Sequence, residues 1–384
     1  MNSNKRLKAV YWGGFLLAMH YALVAYINSS LLGQFVSNSA LDVLYIIGSI
    51  LSIAFLSLAP FFLRKYGSLM ILLLFIALEM LAVFGLGVTN VKALIVVLFI
   101  IHISADSVLY FCLDVNLEQE TKVEGTTGSK RGFFLTAQNV GWVLSPLALV
   151  FFITQNFFGR IYLLSGVVLI PLFLLIILFF KNIKETSLAD SRIIPALRTL
   201  DKGGDQARII IVQFILNFFY SWMVIYLPLL LSKEMGFGWP KIGVMFTIML
   251  MPFLLLELPA GFLADKKIGE REILIAGFFI MFLATLAIPR LASAAFLTWA
   301  AVLFATRVGA SLVEIGSETY FFKHVKEEDT GLISLFRMTR PLSFVVAPLF
   351  ALPVIYFFSY STSFYFLALF TLLGLFFIPK VDTK

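Results

Sequence analysis

Apolar residues run along this chain in long unbroken blocks separated by short polar turns. Crossing the ~30 Å hydrocarbon core of a bilayer takes about 20 residues of helix, and the chain holds about twelve blocks of that size. They fall at 11–33, 41–63, 68–88, 92–116, 132–154, 159–180, 208–231, 239–263, 272–289, 294–316, 331–356 and 361–379. Strands of a membrane barrel would alternate over about ten residues, so the blocks predict helices. The longest polar stretch, Lys181 to Ala207, divides six blocks from six, and Pro195 with Gly203-Gly204 argues against one continuous helix there. The expected organisation is an N-terminal bundle over 1–181, a cytoplasmic linker over 182–207 and a C-terminal bundle over 208–384.

The second bundle repeats the first with a displacement of about 200 residues. Phe15, Tyr21, Leu31 and Leu32 recur as Phe214, Tyr220, Leu230 and Leu231, and the acids Asp114 and Glu118 recur as Glu314 and Glu318. Pro146-Leu147 recurs as Pro348-Leu349. Pseudo-symmetric halves are how many secondary transporters build a substrate site near the midplane.

Composition agrees with the pattern. The chain is 60% hydrophobic and 13% charged, with a mean hydropathy of +0.97, against about 25% charge in soluble domains. The first block is too long for a signal peptide and lacks a small-residue cleavage site, so it is read as a mature helix. A net charge of +7 raises nucleic acid as a partner, but the distribution removes it. Lys5, Arg6, Lys8, Arg64, Lys65, Lys130, Arg131, Lys266, Lys267 and Arg271 all fall on one side of the alternating blocks. By the positive-inside rule both termini are expected in the cytoplasm, in a cytoplasmic-type (inner or plasma) membrane. Cys112 is the only cysteine, which excludes an intramolecular disulfide, and three scattered histidines predict no metal site. The sequon Asn28-Ser29-Ser30 lies inside the first block and is discounted.

The turn after the eighth block reads Pro259-Ala260-Gly261-Phe262-Leu263-Ala264-Asp265-Lys266-Lys267-Ile268-Gly269-Glu270-Arg271. Gly261 permits close helix approach and Gly269 a tight turn. This resembles the loop motif Gly-x-x-x-Asp-Arg/Lys-x-Gly-Arg/Lys-Arg/Lys of the major facilitator superfamily, with one residue inserted before Gly269. The resemblance, with twelve helices and a central linker, covers essentially the whole chain. It implies an all-α polytopic membrane protein of twelve transmembrane helices in two pseudo-symmetric six-helix bundles. The first-half turn, Pro60-Phe61-Phe62-Leu63-Arg64-Lys65-Tyr66-Gly67, departs from the motif, with Pro60 for glycine and Arg64 for aspartate. The resemblance makes this loop a latch, so Arg64, Lys65, Gly261, Asp265 and Gly269 are expected to gate the cytoplasmic side. A contact of Arg64 and Lys65 with Glu327-Glu328-Asp329 would be charge-swapped, and Asp265 would face Lys130 and Arg131. Solvated loop charge is the competing reading. In the fifth block Gly132, Gly141 and Ser145-Pro146 follow part of an antiporter-associated pattern, Gly-x8-Gly-x3-Gly-Pro-x2-Gly-Gly. Ser145, Leu149 and Val150 stand where that pattern has glycines, and the match tilts the reading toward export.

Ionisable residues are costly at bilayer depth and usually face an interior or a wet cavity. The fourth block carries His102, Asp106, Tyr110, Asp114 and Glu118 four residues apart, on one slowly rotating stripe. The tenth carries Arg307, Ser311, Glu314 and Glu318. The resemblance implies that helices one, four, seven and ten line the central cavity. The expected substrate contacts are therefore His20, Tyr21, Asn28, His102, Asp106, Gln213, Asn217, Tyr220 and Arg307. Glu257, Glu314 and Glu318 balance Arg307, Arg337 and Arg340, which predicts a structural charge network of Glu257, Glu314, Glu318, Arg337 and Arg340 in the second half. Neutralisation of Arg307 by Glu314 or Glu257 is expected over binding of an anion. In the first half Glu79, Asp106 and Asp114 have only His20 and His102 as basic neighbours. Asp106 is expected to couple protons, with Asp114 beside it nearer the interface. Glu79, peripheral in the resembling fold, is expected to make a buried hydrogen bond to a neighbouring helix.

These features predict a secondary active transporter using alternating access and needing no cofactor. Its partners would be a small-molecule substrate, protons and the lipid bilayer, and it is expected to be a monomer. Proton antiport of an amphipathic or cationic molecule outward is the main expectation. The alternatives are proton-coupled uptake of a sugar or organic acid, and a lipid flippase. No Walker loop points to ATP, and no nucleophile–base set near an interface points to an enzyme.

Overall fold

Continuous apolar sequence forms helix because a helix satisfies its own backbone hydrogen bonds, which hydrocarbon cannot do. The computed structural model describes residues 3–121, 127–153, 157–180, 204–266, 269–291, 295–324 and 330–380, and 12 helices in it are long and apolar enough to cross a membrane. The first half comprises α1 (Ser3–Ala25), α2 (Asn28–Leu32), α3 (Asn38–Tyr66), α4 (Ser68–Val88), α5 (Lys92–Thr121), α6 (Thr127–Leu144), α7 (Leu147–Phe152) and α8 (Gly159–Phe179). The second comprises α9 (Asp205–Leu229), α10 (Trp239–Lys266), α11 (Glu270–Ala287), α12 (Phe296–His324), α13 (Thr330–Phe357) and α14 (Tyr360–Leu372). The chain divides into two compact units, Met1–Leu188 and Ala189–Lys384. Most of the expected linker, at 181–203, lies outside the described residues.

The packing repeats as the sequence does. In the first unit α1 packs on α5, α6 and α8, α5 on α3 and α4, and α4 on α8. In the second unit α9 packs on α12, α13 and α14, α12 on α10 and α11, and α11 on α14. Each contact has its counterpart about 200 residues on. Glycines set the closest crossings. A Cβ on Gly141 would lie 2.8 Å from Met19 N and 2.9 Å from Phe15 O, so α6 and α1 touch backbone to backbone there. In the second unit Gly277 and Gly309 do the same for α11 and α12, where a Cβ on Gly309 would lie 2.6 Å from Gly277 O.

Three spans are interrupted. The first breaks at Tyr26–Ile27 before resuming as α2, and the seventh passes into a π-helical turn at Leu230–Glu234 after Pro228. The fifth breaks at Ser145-Pro146, where Ser145 Oγ donates to Gly141 O at 2.6 Å and to Met19 O at 3.0 Å. Proline supplies no N–H to the ladder, and the serine ties the bend to α1.

The paired turns after α3 and α10 share their glycine geometry despite the divergent motif. Gly67 has φ 82° and Gly269 φ 99°, both in the region open to glycine. Lys65 is exposed and reaches over the Tyr66 ring at 5.1 Å. The side chains of Arg64, Gly261 and Asp265 lie outside the described residues, as do Lys130, Arg131 and Glu327-Glu328-Asp329. After Gly269, Glu270 is buried in the first turn of α11 and meets Lys323 Nζ at 2.5 Å. An acid there also faces the positive end of the helix dipole.

Candidate functional site: a buried histidine–glutamate cluster

Three helices of the first unit bring ionisable groups to one point inside the bundle. His20 on α1, Glu79 on α4 and His102 on α5 each have 0% exposure. Both imidazoles address the same carboxylate oxygen: His20 Nε2 lies 2.9 Å and His102 Nδ1 2.5 Å from Glu79 Oε1. The outer ring nitrogens are held as well. Ser165 Oγ on α8 lies 2.6 Å from His20 Nδ1, and Asn28 Nδ2 lies 3.4 Å from His102 Nε2. The Tyr162 hydroxyl donates to Asn28 Oδ1 at 2.5 Å. The Tyr21 ring stacks on His102 at 6.3 Å between centroids.

The carboxylate sets the inner protons of the network. A carboxylate oxygen only accepts, so His20 Nε2–H and His102 Nδ1–H both donate to Glu79. On the outer side His20 Nδ1 faces the hydroxyl and carbonyl oxygens of Ser165, whose hydroxyl donates to His20 O at 3.0 Å, and His102 Nε2 faces the Asn28 amide. With both imidazoles neutral, the fully buried carboxylate leaves a net charge of −1, a costly state without a counter-ion. Glu79 Oε2 has no hydrogen-bond partner among the described residues. It is the atom of the cluster that can take a proton without breaking a hydrogen bond.

The sequence treated the histidines as scattered, yet two of the three meet. His20, Glu79 and His102 offer three ligand atoms within 4.8 Å of one another, a 2-His-1-carboxylate set of the kind that holds transition metals. Their geometry is that of hydrogen bonds. Both nitrogens crowd one oxygen, whereas ligands spread around a metal at ~2 Å each. Glu79, expected to make one peripheral hydrogen bond, is the hub. Asp106 is buried one helical turn from His102, and Asp114 is half-buried further along α5. The signal for Glu79 was present in the sequence, as a mid-span acid in the same half as two mid-span histidines. What the sequence lacked was the packing of α4 on α5 and of α5 on α1.

The second unit places its expected residues differently. Asn217 Nδ2 donates to Thr339 Oγ1 at 3.0 Å, and Gln213 Oε1 accepts from Ser317 at 2.8 Å. These bonds tie α9 to α13 and α12. Within the expected charge network, Arg337 Nη1 donates to Glu318 Oε1 at 2.8 Å. Arg340 is half-buried on α13, and the Glu257 side chain lies outside the described residues. Glu314 does not take the expected arginine: its Oε2 accepts from the Tyr220 hydroxyl at 2.7 Å. Arg307 instead lies over the rings of Phe219 and Tyr220, at 5.1 and 5.3 Å. Seven residues along a helix is about 10 Å, which sets Glu314 two turns from Arg307.

Residues 209–384 match the model of the Major Facilitator Superfamily. No curated protein matches the chain. Among solved structures, the crystal structure of a mutant of the nucleoside transporter NupG is similar with a TM-score of 0.74 and 11% identity, covering 98% of each chain. A family match over the second half and a shared fold over the whole length agree with twelve apolar helices in two repeated units: this is an integral membrane protein with the twelve-helix fold of a transporter, and its second half resembles the Major Facilitator Superfamily.

Proposed function

We propose that the protein is a proton-coupled secondary transporter working by alternating access, which exports a small amphipathic molecule in exchange for protons. The observation that carries the reading is the Glu79 cluster. A carboxylate sealed from water, held by two neutral imidazoles and with one oxygen vacant, gains most from a single added proton. Binding that proton on one side of the membrane and losing it on the other is the work a coupling site does. The cluster also weakens the ground for a cationic cargo, since Glu79 is now engaged by His20 and His102. Asp106, one turn from His102, is a second proton-binding group in this reading. Support for exchange comes from the fifth span, where Gly141 of the antiporter-associated pattern, with Ser145 in place of one of its glycines, makes the contact with α1. Both termini lie in the cytoplasm in this account, following the distribution of Lys and Arg.

A second reading, uptake of a polar solute, is favoured by the fold likeness to a nucleoside transporter. The test is proteoliposome transport against a panel that includes nucleosides, with an imposed pH gradient of either sign. Substrate movement opposite to protons supports exchange, and movement with them supports the second reading. Transport indifferent to the gradient overturns proton coupling.

A further inference from the structure

Arg307 is the one buried cation of the second unit whose guanidinium lacks an acid partner among the described residues. It sits mid-way along α12 and is 1% exposed. Its Nε and Nη1 have no hydrogen-bond partner among the described residues. The aromatic rings of Phe219 and Tyr220 cover it, and cation–π attraction offsets part of the burial cost. Rings attract the guanidinium charge, but its N–H groups point outward in the guanidinium plane and ask for acceptors.

The acids further along the same helix are used elsewhere. Glu314 is held by the Tyr220 hydroxyl at 2.7 Å. Glu318 is held by Arg337 at 2.8 Å. Arginine stays charged in proteins, so it cannot escape the cost by losing a proton. Nor does the fold call for a cation here. The repeat position in the first unit, about 200 residues earlier, is Ser107, and that bundle packs the same helix pairs without it.

A buried, permanently charged donor with vacant N–H groups needs an oxyanion to complete it. Resting on the transport reading above, we propose that Arg307 binds an oxyanion group of the transported molecule, a carboxylate or a phosphate monoester. Tyr220 stands beside that site and joins it to Glu314. The cargo is then an amphipathic acid. The charge that it brings to the second unit is balanced by Arg307, while the proton is handled separately by Glu79 in the first.

The test uses the full-length protein in detergent and matched probe pairs that differ in the acid group: benzoate against benzamide, and adenosine monophosphate against adenosine. Thermal unfolding is followed as each is titrated. The acid of at least one pair is expected to stabilise the wild type where its neutral partner does not, and the pair that responds separates carboxylate from phosphate. R307Q is expected to weaken that acid's binding by about ten-fold or more, with R307K intermediate. Acid binding is read in detergent without a pH gradient and proton coupling in proteoliposomes, so loss of the anion site and loss of coupling read out separately. Equal response to acid and neutral probes, or no response to either acid, overturns the proposal, as does unchanged binding in R307Q. Because R307Q can fail to fold, E257Q/R307Q is made alongside it. Rescue of folding in the double variant identifies an internal partner for the arginine and equally overturns the proposal.

Discussion

Oε1 of Glu79 and Nδ1 of His102 lie 2.5 Å apart on helices adjacent in the chain, and neither residue has any exposed surface. A charge-bearing contact this deep is costly to break, because a buried group left unmatched loses its full solvation. Replacing His102 by leucine strips Glu79 of one donor and leaves the Asn28 amide facing hydrocarbon. H102L is therefore expected to lower stability by about 1–3 kcal/mol. Replacing it by glutamine, which can still donate, is expected to cost less than half of that. Thermal unfolding in detergent, read for both variants beside wild type, checks the order.

Asn28 opens α2, just past the break in the first span, and links the cluster to Tyr162 on α8. Its amide faces Nε2 of His102, opposite the nitrogen that meets Glu79. Tyr162→Phe removes the donor to Asn28 Oδ1 and frees the amide to turn over. The variant is expected to lose about 1 kcal/mol of stability and to shift the pH profile of transport. A profile superimposable on wild type after normalising for folded protein removes Asn28 and Tyr162 from the coupling path.

Close packing of α1 on α6 gives a sharper structural test. Gly141→Ala drives a methyl against backbone atoms of Met19 and Phe15 that cannot yield, at 2.8 and 2.9 Å. The expected cost is about 1–3 kcal/mol. Gly13→Ala, on α1 itself, meets only the flexible ends of Leu113, Leu172 and Phe180 at 3.4 Å or more and is expected to be near neutral. Comparable loss in both would mean that helix propensity, and not contact, governs these positions.

The spans were legible because apolar blocks of membrane length have few other uses, and the turns because Gly67 and Gly269 hold backbone conformations other residues avoid. The repeat was legible too, and the helix contacts follow it pair by pair. The site was legible only in part. His20 and His102 drew attention as ionisable residues at depth, but their convergence on Glu79 depends on three helices whose mutual rotation no local pattern encodes. At the repeat positions, Phe219, Met281 and Val302 are apolar, so the cluster belongs to one half alone. Arg307 shows how a charge count alone leaves the partner open. Counting acids against arginines predicted its neutralisation by Glu314 or Glu257; Tyr220, carried on another helix, holds the Glu314 carboxylate, and the Glu257 side chain lies outside the described residues.

The central claim is that Glu79 carries the coupled proton, and proton flux in proteoliposomes tests it most directly. Wild type and E79Q are reconstituted at equal density, and substrate movement is driven first by a pH gradient and then by substrate exchange alone. The amide keeps an acceptor for His20 and His102 but cannot ionise. The account predicts that E79Q loses pH-driven transport by about ten-fold or more while substrate exchange persists. Undiminished pH-driven transport in folded E79Q would contradict it.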